Sequence, residues 1–368
     1  MSMPRVLHVV TGGFSGATQV AIDLVRGARA SGRNQPFLAL RRKSTTSPER
    51  VEALRDEGMD VTVLPGWSHL ATIVALRRLC QRIKPDVLVA HGFPEHLLGR
   101  HAGRWADVPH LVQVEHNSRE RYSAWRLAQT RWLAPHTDRI VGCSEGVKGA
   151  LLAQGLPEDR VMAIPNGIRL EPFAQADAHP WAARVPGLVM CARFASQKDH
   201  ATLLQALALL RQQGLRPPLL LAGSGSARHR RKVVDLCAAL GLNDQVQFLG
   251  FQKDIPGLLM RHQVAVLSSH YEGMPLSLVE GMAAGCVAVG SSVPGIEELL
   301  NDGVTGRLVP HADAAALART LADVLQQPEA SARMAAAGRA AALQHHSLGL
   351  MTARYDELFD VLVDPALA

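Results

Sequence analysis

The sequence predicts an α/β protein of two doubly wound domains, and three observations support this prediction. Short apolar runs rich in Val, Leu and Ala alternate with longer amphipathic stretches along the chain, which is the pattern of strand–helix–strand units. The runs are continuously apolar, as in parallel strands that are buried on both faces. With 368 residues the chain is also long enough for two separate cores.

The alternating pattern occurs twice along the chain. We expect an N-terminal domain over residues 1–168, a second domain over 169–346 and a final helix over 347–368, with the Ala- and Pro-rich stretch 172–186 as a linker. The predicted strands are 5–10, 36–40, 61–64, 86–90, 111–114, 140–143 and 161–164, then 188–192, 219–222, 246–249, 264–269 and 287–290. The predicted helices include 17–30, 48–57, 70–83, 200–211, 312–326, 331–343 and 348–363.

Composition narrows the class of protein. The chain is 47% hydrophobic and 20% charged, which is ordinary for a globular protein. Its five cysteines show no CxxC pair and no zinc-ligand spacing, so we expect reduced, buried thiols. The N-terminus lacks a signal-peptide pattern, and no apolar run is long enough to span a membrane. These features predict a cytoplasmic protein without a metal or nucleic-acid partner.

Positive charge is concentrated in the N-terminal half. Residues 1–168 contain 22 Lys and Arg against 15 Asp and Glu, whereas the remainder contains 17 against 18. A basic half can dock on anionic lipid headgroups at the inner face of the membrane, or bind a phosphorylated acceptor. A solvated, Arg-rich face is an equally good explanation at this stage.

The stretch 270–285 combines a loop, a proline and two glutamates between two strand-like runs. Pro275 is expected in the first turn of a helix, where its missing N–H needs no partner. Glu272 then lies in the loop before the helix, and Glu280 lies inside it as a buried carboxylate. The helix start favours an anion, and the hydroxyls of a sugar or ribose would satisfy Glu280. For an arbitrary glutamate pair, capping or solvent exposure would be the commoner explanation.

The spacing Glu272-x7-Glu280, followed by Ala283-Ala284-Gly285 and Pro294-Gly295, resembles the signature of retaining glycosyltransferases of family 4. The resemblance extends over nearly the whole chain. It implies the GT-B fold, in which two Rossmann-like domains face each other across a cleft and a C-terminal helix returns to the first domain. It also implies transfer of a sugar from a nucleotide sugar, most often a UDP-sugar, to a glycan or lipid-linked acceptor in lipopolysaccharide or cell-surface polysaccharide assembly. The expected product is an α-glycoside.

The second predicted domain would bind the donor. Two cations after a parallel strand, Arg193 and Lys198, suit a diphosphate, although a surface pair is the alternative. The resemblance implies that they stabilise the leaving group without a metal or other cofactor. It assigns the ribose to Glu280 and a sugar hydroxyl to Glu272. The further donor-binding residues that it implies are Gly250, Phe251, Gly273, Met274, Pro275 and Leu276.

The first predicted domain contributes a glycine loop and a histidine. The loop 11–16 joins a strand to a helix and lets the backbone approach a phosphate, but its spacing is not GxGxxG. By resemblance, Gly16 approaches the donor diphosphate and His116 meets the transferred sugar. Where the family often has Glu, this chain has Thr18. The acceptor pocket is expected near Gly16, His116 and the loop 117–122.

Two other classes of function remain open from the sequence. A nucleotide-sugar 2-epimerase on the same fold would need acidic residues for proton transfer beside the sugar ring, and the Glu-x7-Glu and Arg-x4-Lys spacings disfavour it. A two-domain sugar-binding protein of the periplasmic kind would need an export signal. A glycogen- or sucrose-type transferase is a third alternative within the class, and such chains are usually longer.

Overall fold

A computed structural model describes residues 3–119, 122–364 and 366, and the chain divides into two compact units. The N-terminal unit consists of Met1–Gly167 together with Leu348–Ala368, and the C-terminal unit consists of Ile168–Ser347. The sequence placed the same divisions one residue away, after residues 168 and 346. Among the described residues, no helix is both long and apolar enough to cross a bilayer.

The N-terminal unit is a seven-stranded parallel sheet with the strand order β3-β2-β1-β4-β5-β6-β7. Its strands are β1 (Arg5–Thr11), β2 (Gln35–Arg41), β3 (Val61–Leu64), β4 (Val87–His91), β5 (His110–Glu115), β6 (Arg139–Gly142) and β7 (Val161–Ala163). Its helices are α1 (Gly16–Ser31), α2 (Pro48–Asp56), α3 (His69–Ile83), α4 (Glu95–Trp105), α5 (Ala124–Leu133) and α6 (Glu145–Ala153), with α14 (Leu348–Val363) added from the end of the chain.

The C-terminal unit is a six-stranded parallel sheet with the order β10-β9-β8-β11-β12-β13. Its strands are β8 (Val185–Cys191), β9 (Leu219–Ala222), β10 (Val246–Gly250), β11 (His262–Leu267), β12 (Val287–Ser291) and β13 (Arg307–Val309). Its helices are α7 (His200–Gln212), α8 (Ala227–Ala239), α9 (Ile255–Met260), α10 (Leu276–Ala283), α11 (Pro294–Glu297), α12 (Ala314–Gln326) and α13 (Pro328–His345). The prediction of two parallel-sheet, Rossmann-like units is therefore confirmed.

Both sheets reverse their strand order beside their first strand, between β1 and β4 in one unit and between β8 and β11 in the other. Because every recorded strand pair is parallel, the carboxyl ends of the strands lie along a single edge of each sheet. Ligands of such sheets bind outside that edge, at the point of reversal.

Helices cover both faces of the N-terminal sheet. On one face Leu7 and Val9 of β1 pack with residues of α3 and α4. On the other face Val10 packs with residues of α1 and α2, including Val25. Fully burying a side chain of this size contributes about 1.5–3 kcal/mol. This two-sided burial explains why the strands are continuously apolar in the sequence.

The prediction of a linker at 172–186 is wrong. This segment forms short 3-10 turns and the start of β8, and it belongs to the C-terminal unit. Phe173 and Trp181 are buried. The indole N–H of Trp181 donates to the carbonyl of Gln263 at 2.9 Å, and Arg184 Nη1 donates to the carbonyl of Ala284 at 2.8 Å. Because 3-10 turns lack the 3.6-residue period, the apolar residues gave no helical signal.

The final helix, α14, packs against α1, as predicted. Asp356 accepts hydrogen bonds from Ser31 Oγ, in the last residue of α1, at 3.1 Å and from Asn34 Nδ2, just after α1, at 2.8 Å. In the C-terminal part of α1, a Cβ atom built on Gly27 would overlap the short side chain of Thr352 on α14. Gly27 therefore sets the close approach of the two helices.

A valine at this position tests that contact. We expect Gly27→Val to lower the free energy of unfolding by about 1–3 kcal/mol, because overpacking forces the two helices apart. The matched control is Gly149→Val on α6, where an added Cβ meets no atom within 4 Å, and its effect should stay within about 0.5 kcal/mol. Thermal unfolding followed by circular dichroism measures both, and equal Tm values for the two variants would contradict the assignment.

Candidate functional site

The central feature of the C-terminal unit is a buried ion pair at the point where its sheet reverses. Lys198 Nζ donates to Glu272 Oε1 at 2.5 Å, and their side chains are only 14% and 7% exposed. Lys198 follows β8 and Glu272 follows β11, which is the neighbouring strand. The structure thus brings together two residues that the sequence placed 74 positions apart.

Hydrogen bonds hold the two loops that carry this pair. The backbone N–H of His270 donates to the carbonyl of Gln197 at 2.8 Å, and Gln197 Nε2 donates to the carbonyl of Tyr271 at 2.9 Å. Ser268 Oγ donates to the carbonyl of Asp199 at 2.9 Å. The cation and the carboxylate are therefore fixed in place by backbone contacts on both sides.

The start of α10 lies next to Glu272. The sequence placed Pro275 inside the first turn, but Pro275 is the residue that precedes the helix, with φ −79° and ψ 105°. Proline offers no side-chain acceptor, and the helix start has no side-chain cap, so its first N–H groups suit an anion. A Cβ atom on Gly295, at the start of α11, would overlap the carbonyl of Gly273. Only glycine therefore allows α11 to support this loop.

Glu280 is half-buried, so the expectation that it is the buried carboxylate is wrong; Glu272, 6% exposed, has that role. Leu278, Val279 and Met282 of α10 are buried, whereas Leu276, Ser277 and Glu280 share a partly exposed face. Glu280 lies in the second turn of α10, and its charge adds to burial in raising the pKa of the thiol of Cys191, the last residue of β8. It thus lies at the same edge as the ion pair.

The other predicted donor-binding residues occupy the same edge of this sheet. Arg193 is exposed after β8, and among the described residues its side chain has no ion-pair partner. Gly250 ends β10 with φ +66°, and its carbonyl accepts from the N–H of Gly223 after β9 at 2.8 Å. Phe251 is 62% exposed, whereas Met274 is buried. Their donor-binding roles remain predictions.

The glycine loop of the N-terminal unit is held by residues other than Gly16. The N–H of Gly12 donates to the carbonyl of Arg41 at 2.8 Å, and a Cβ there would overlap that carbonyl region. Thr18 is buried and donates to the carbonyl of Thr11 at 2.8 Å, so it stabilises the loop. Gly16 has no atom within 4 Å of a built Cβ, which leaves open space for a ligand.

A chain of three histidines crosses the same unit: His8 on β1, His91 at the end of β4 and His116 directly after β5. His8 Nδ1 and His91 Nε2 are 3.0 Å apart, and His91 Nδ1 and His116 Nε2 are 3.2 Å apart. The rings stack with centroids 5.3 and 5.4 Å apart. The ring of Phe359 on α14 contacts His8 edge-on. His116, a predicted site residue, is therefore positioned from inside the sheet.

A second hydrogen-bond chain fixes the backbone of His116. The fully buried Arg100 donates from Nη2 to His96 Nδ1 at 2.8 Å. Because arginine only donates, His96 carries its proton on Nε2 and donates to Tyr122 Oη at 2.8 Å. Tyr122 then donates to Glu115 Oε2 at 3.1 Å, and Glu115 Oε1 accepts from the N–H of His116 at 3.0 Å.

Sequence reasoning missed these two chains and the pairing of Lys198 with Glu272. His91 could have been found, because it ends a predicted strand as His116 follows one. Arg100 gave no signal, since a buried arginine on a helix looks like an exposed one in sequence. Within the predicted acceptor loop 117–122, residues 120 and 121 lie outside the described part of the chain. Among the described residues, no cluster of His, Cys, Asp or Glu could hold a metal ion.

Acid should destabilise the histidine chain. Burial lowers the pKa of His8 to about 3 and that of His116 to about 4, and it also lowers the pKa of His91. An unfolded histidine titrates near 6.5, so below about pH 6.5 the unfolded state binds more protons. Stability is therefore present above that pH and is lost as the pH falls toward the folded pKa.

We expect His8→Gln to reduce this loss, because glutamine carries no titrating proton. Between pH 6.5 and 4, each neutral buried ring costs up to about 1.4 kcal/mol per pH unit. Tm measured against pH for the variant and the unaltered chain should therefore give a shallower slope for the variant. Parallel curves would show that His8 does not titrate as its burial requires.

Comparison with known proteins agrees with this geometry. The family model "Glycosyltransferase Family 4" matches residues 14–172, and "Glycosyl transferases group 1" matches residues 174–341. The chain is 30% identical to a putative glycosyltransferase, EpsF, of Bacillus subtilis over 77% of this chain and 78% of that protein. It is 27% identical to the UDP-Gal:alpha-D-GlcNAc-diphosphoundecaprenol alpha-1,3-galactosyltransferase of Escherichia coli over 65% of this chain and 66% of that enzyme.

The fold also matches solved structures. Anabaena Alr3699/HepE, crystallised with UDP-glucose, superposes with a TM-score of 0.85 at 20% identity, over 97% of this chain and 99% of that one. At this identity the match shows the fold, which is the predicted GT-B fold. Since the sequence matches span both units, the chain belongs to glycosyltransferase family 4.

Proposed function

We propose that this glycosyltransferase transfers a sugar from a UDP-sugar to a glycan or lipid-linked acceptor, with retention of the anomeric configuration and without a metal or other cofactor. The observation that carries the proposal is the set of charged groups at the carboxyl edge of the C-terminal sheet. There the paired Lys198 and Glu272 lie beside an uncapped helix start, with Glu280 on the same edge. A cation, oriented amides and two carboxylates are the groups that a nucleotide diphosphate sugar requires.

Each group has a role in the proposed transfer. Glu280 accepts from the ribose hydroxyls, and Glu272 accepts from a hydroxyl of the sugar. Lys198 and Arg193 face the diphosphate and stabilise its charge as the bond from sugar C1 to the phosphate oxygen breaks. The acceptor oxygen forms the new bond to C1 on the same face, and its proton passes to an oxygen of the leaving diphosphate. UDP and an α-glycoside are the products.

The comparisons support the donor and the pathway. The Anabaena protein was crystallised with UDP-glucose, and the E. coli relative uses UDP-Gal and forms an alpha-1,3 bond on a lipid-linked acceptor. We propose a related role in cell-surface polysaccharide or lipopolysaccharide assembly, at the cytoplasmic face of the membrane. The basic N-terminal half suits a peripheral contact with anionic lipid there.

UDP binding tests the donor proposal. UDP should raise Tm with or without Mg²⁺, because a ligand that binds only the folded state stabilises it, by about 2.7 kcal/mol at 100 times its Kd. GDP, ADP and CMP serve as comparisons. Glu280→Gln should weaken UDP binding by roughly 10- to 100-fold through the lost ribose contacts, and Glu329→Gln, an exposed glutamate on α13, should leave it unchanged. No shift with any nucleotide would refute the proposal, and donor turnover without acceptor or UDP release would indicate an isomerase.

Turnover tests the role of Lys198. Lys198→Ala should lower kcat by about 10²- to 10³-fold, because it removes a cation from the leaving group, with a smaller change in donor affinity. The substitution also leaves Glu272 buried without its cation, which costs about 3–5 kcal/mol. The double variant with Glu272→Gln should recover Tm, yet its kcat should stay well below that of Glu272→Gln alone, which accounts for the lost sugar contact. Lys232→Ala, exposed on α8, is the control. If kcat recovers together with Tm, the lysine is structural only.

A further inference from the structure

A cavity of about 720 Å³ lies in the N-terminal unit at the carboxyl ends of β2 and β3. Its volume is within the range of small-molecule sites. None of the residues that the sequence singled out for the donor or the acceptor lies in it. The lining residues are Arg41, Arg42, Lys43 and Ser44 after β2, and Val63, Leu64, Pro65, Gly66 and Trp67 around the end of β3.

The two loops that form this cavity are held rigidly by their backbone. The N–H of Arg42 donates to the carbonyl of Leu64 at 3.0 Å, and the N–H of Lys43 donates to Thr46 Oγ1 at 2.8 Å. A Cβ atom on Gly66 would overlap the carbonyl of Arg42, so only glycine allows the loops to approach this closely. The cavity is therefore formed before any ligand arrives.

Three consecutive cations, Arg41, Arg42 and Lys43, stand at the end of β2, and the first of them is paired with a carboxylate. Arg41 Nε donates to Glu95 Oε1 at 2.6 Å, and both side chains are buried. Within the described part of the chain, neither Arg42 nor Lys43 has a carboxylate at ion-pair distance. Burial is the main cause of the lowered pKa of Lys43; the charge of Arg41 lowers this pKa further, whereas the charge of Glu95 raises it. An anion in the cavity would counter the effects of burial and of Arg41.

An exposed apolar stripe begins at the rim of the cavity. Trp67 is 85% exposed, and Leu70 and Val74 on α3 are 62% and 37% exposed. Leu70 and Val74 are four residues apart, which places them on one side of α3, and Trp67 lies just before the helix begins. Trp67 belongs to both the cavity and the stripe. A charged pocket that continues into an apolar stripe matches a ligand with an anionic head and a hydrocarbon chain.

We propose that this pocket binds the diphosphate of an isoprenoid-lipid-linked acceptor, with Arg42 and Lys43 on the phosphate oxygens and the hydrocarbon chain along Trp67, Leu70 and Val74. This inference rests on the proposed function, since it specifies the acceptor of that transfer. The pocket would hold the part of the acceptor that does not react, and so would select acceptors by their lipid phosphate.

Isothermal titration calorimetry of the full chain with farnesyl diphosphate tests the site, in the presence of saturating UDP so that the donor diphosphate site is occupied. Farnesyl diphosphate should bind at least tenfold more tightly than inorganic pyrophosphate, which lacks the hydrocarbon chain, or farnesol, which lacks the diphosphate. R42Q/K43Q should weaken binding tenfold or more, because each charge-assisted contact is worth about that factor. W67A should weaken farnesyl diphosphate but leave pyrophosphate unchanged. R319Q, an exposed arginine on α12 of the C-terminal unit, is the control.

Two results would overturn the assignment. If R42Q/K43Q bound farnesyl diphosphate as tightly as the unaltered chain, the pocket would not be the site. If farnesyl diphosphate failed to bind while anionic phosphatidylglycerol vesicles bound through Arg42 and Lys43, the pocket would recognise a membrane surface. UDP should still raise the Tm of every variant, because the donor site is unchanged. If the proposed function were wrong, UDP would not raise the Tm of the unaltered chain, so the two kinds of failure give different results.

Discussion

The ion pair between Lys198 and Glu272 connects the two strands at which the C-terminal sheet reverses its order. Removing two charges from water costs several kcal/mol per ion, and an apolar pair of similar volume would often stabilise the fold as well or better. A buried pair at the ligand-binding edge of a sheet therefore indicates function more than stability. Each partner is already desolvated and fixed by the surrounding loops, so a donor sugar phosphate would meet groups that need little reorganisation.

The N-terminal unit reaches a similar rigidity with neutral rings and one deeply buried cation. Arg100 can only donate, so it fixes the proton on His96 and, through Tyr122 and Glu115, holds the backbone of His116. The His8–His91 chain holds the imidazole of His116 from the other side. Backbone and ring are thus controlled separately, which suits the predicted role of His116 in contacting the transferred sugar.

The sequence predicted the elements of this fold well, because parallel strands buried on both faces are continuous apolar runs. Val61–Leu64, Leu219–Ala222 and Leu348–Val363 were predicted to the residue. It failed where local pattern carries no information. The 172–186 segment packs through 3-10 turns without a helical period. Glu280 lies on the partly exposed face of α10, whereas Glu272 is buried in the preceding loop beside Lys198. The pairing of Lys198 with Glu272 depends on the adjacency of β8 and β11, which sequence alone does not give.

The net charge of the N-terminal half is a further feature that the sequence alone could not interpret. The excess of Lys and Arg in the N-terminal half suggested a phosphate-bearing or anionic partner, yet much of that charge is used inside the unit. Arg26 pairs with Glu57, Arg55 pairs with Glu52, and Arg100 is enclosed in a hydrogen-bond network. Only cations that face a cavity without a carboxylate partner leave charge for a ligand, and Arg42 and Lys43 meet that condition beside Trp67. The location of the charge, rather than its amount, therefore supports an anionic ligand.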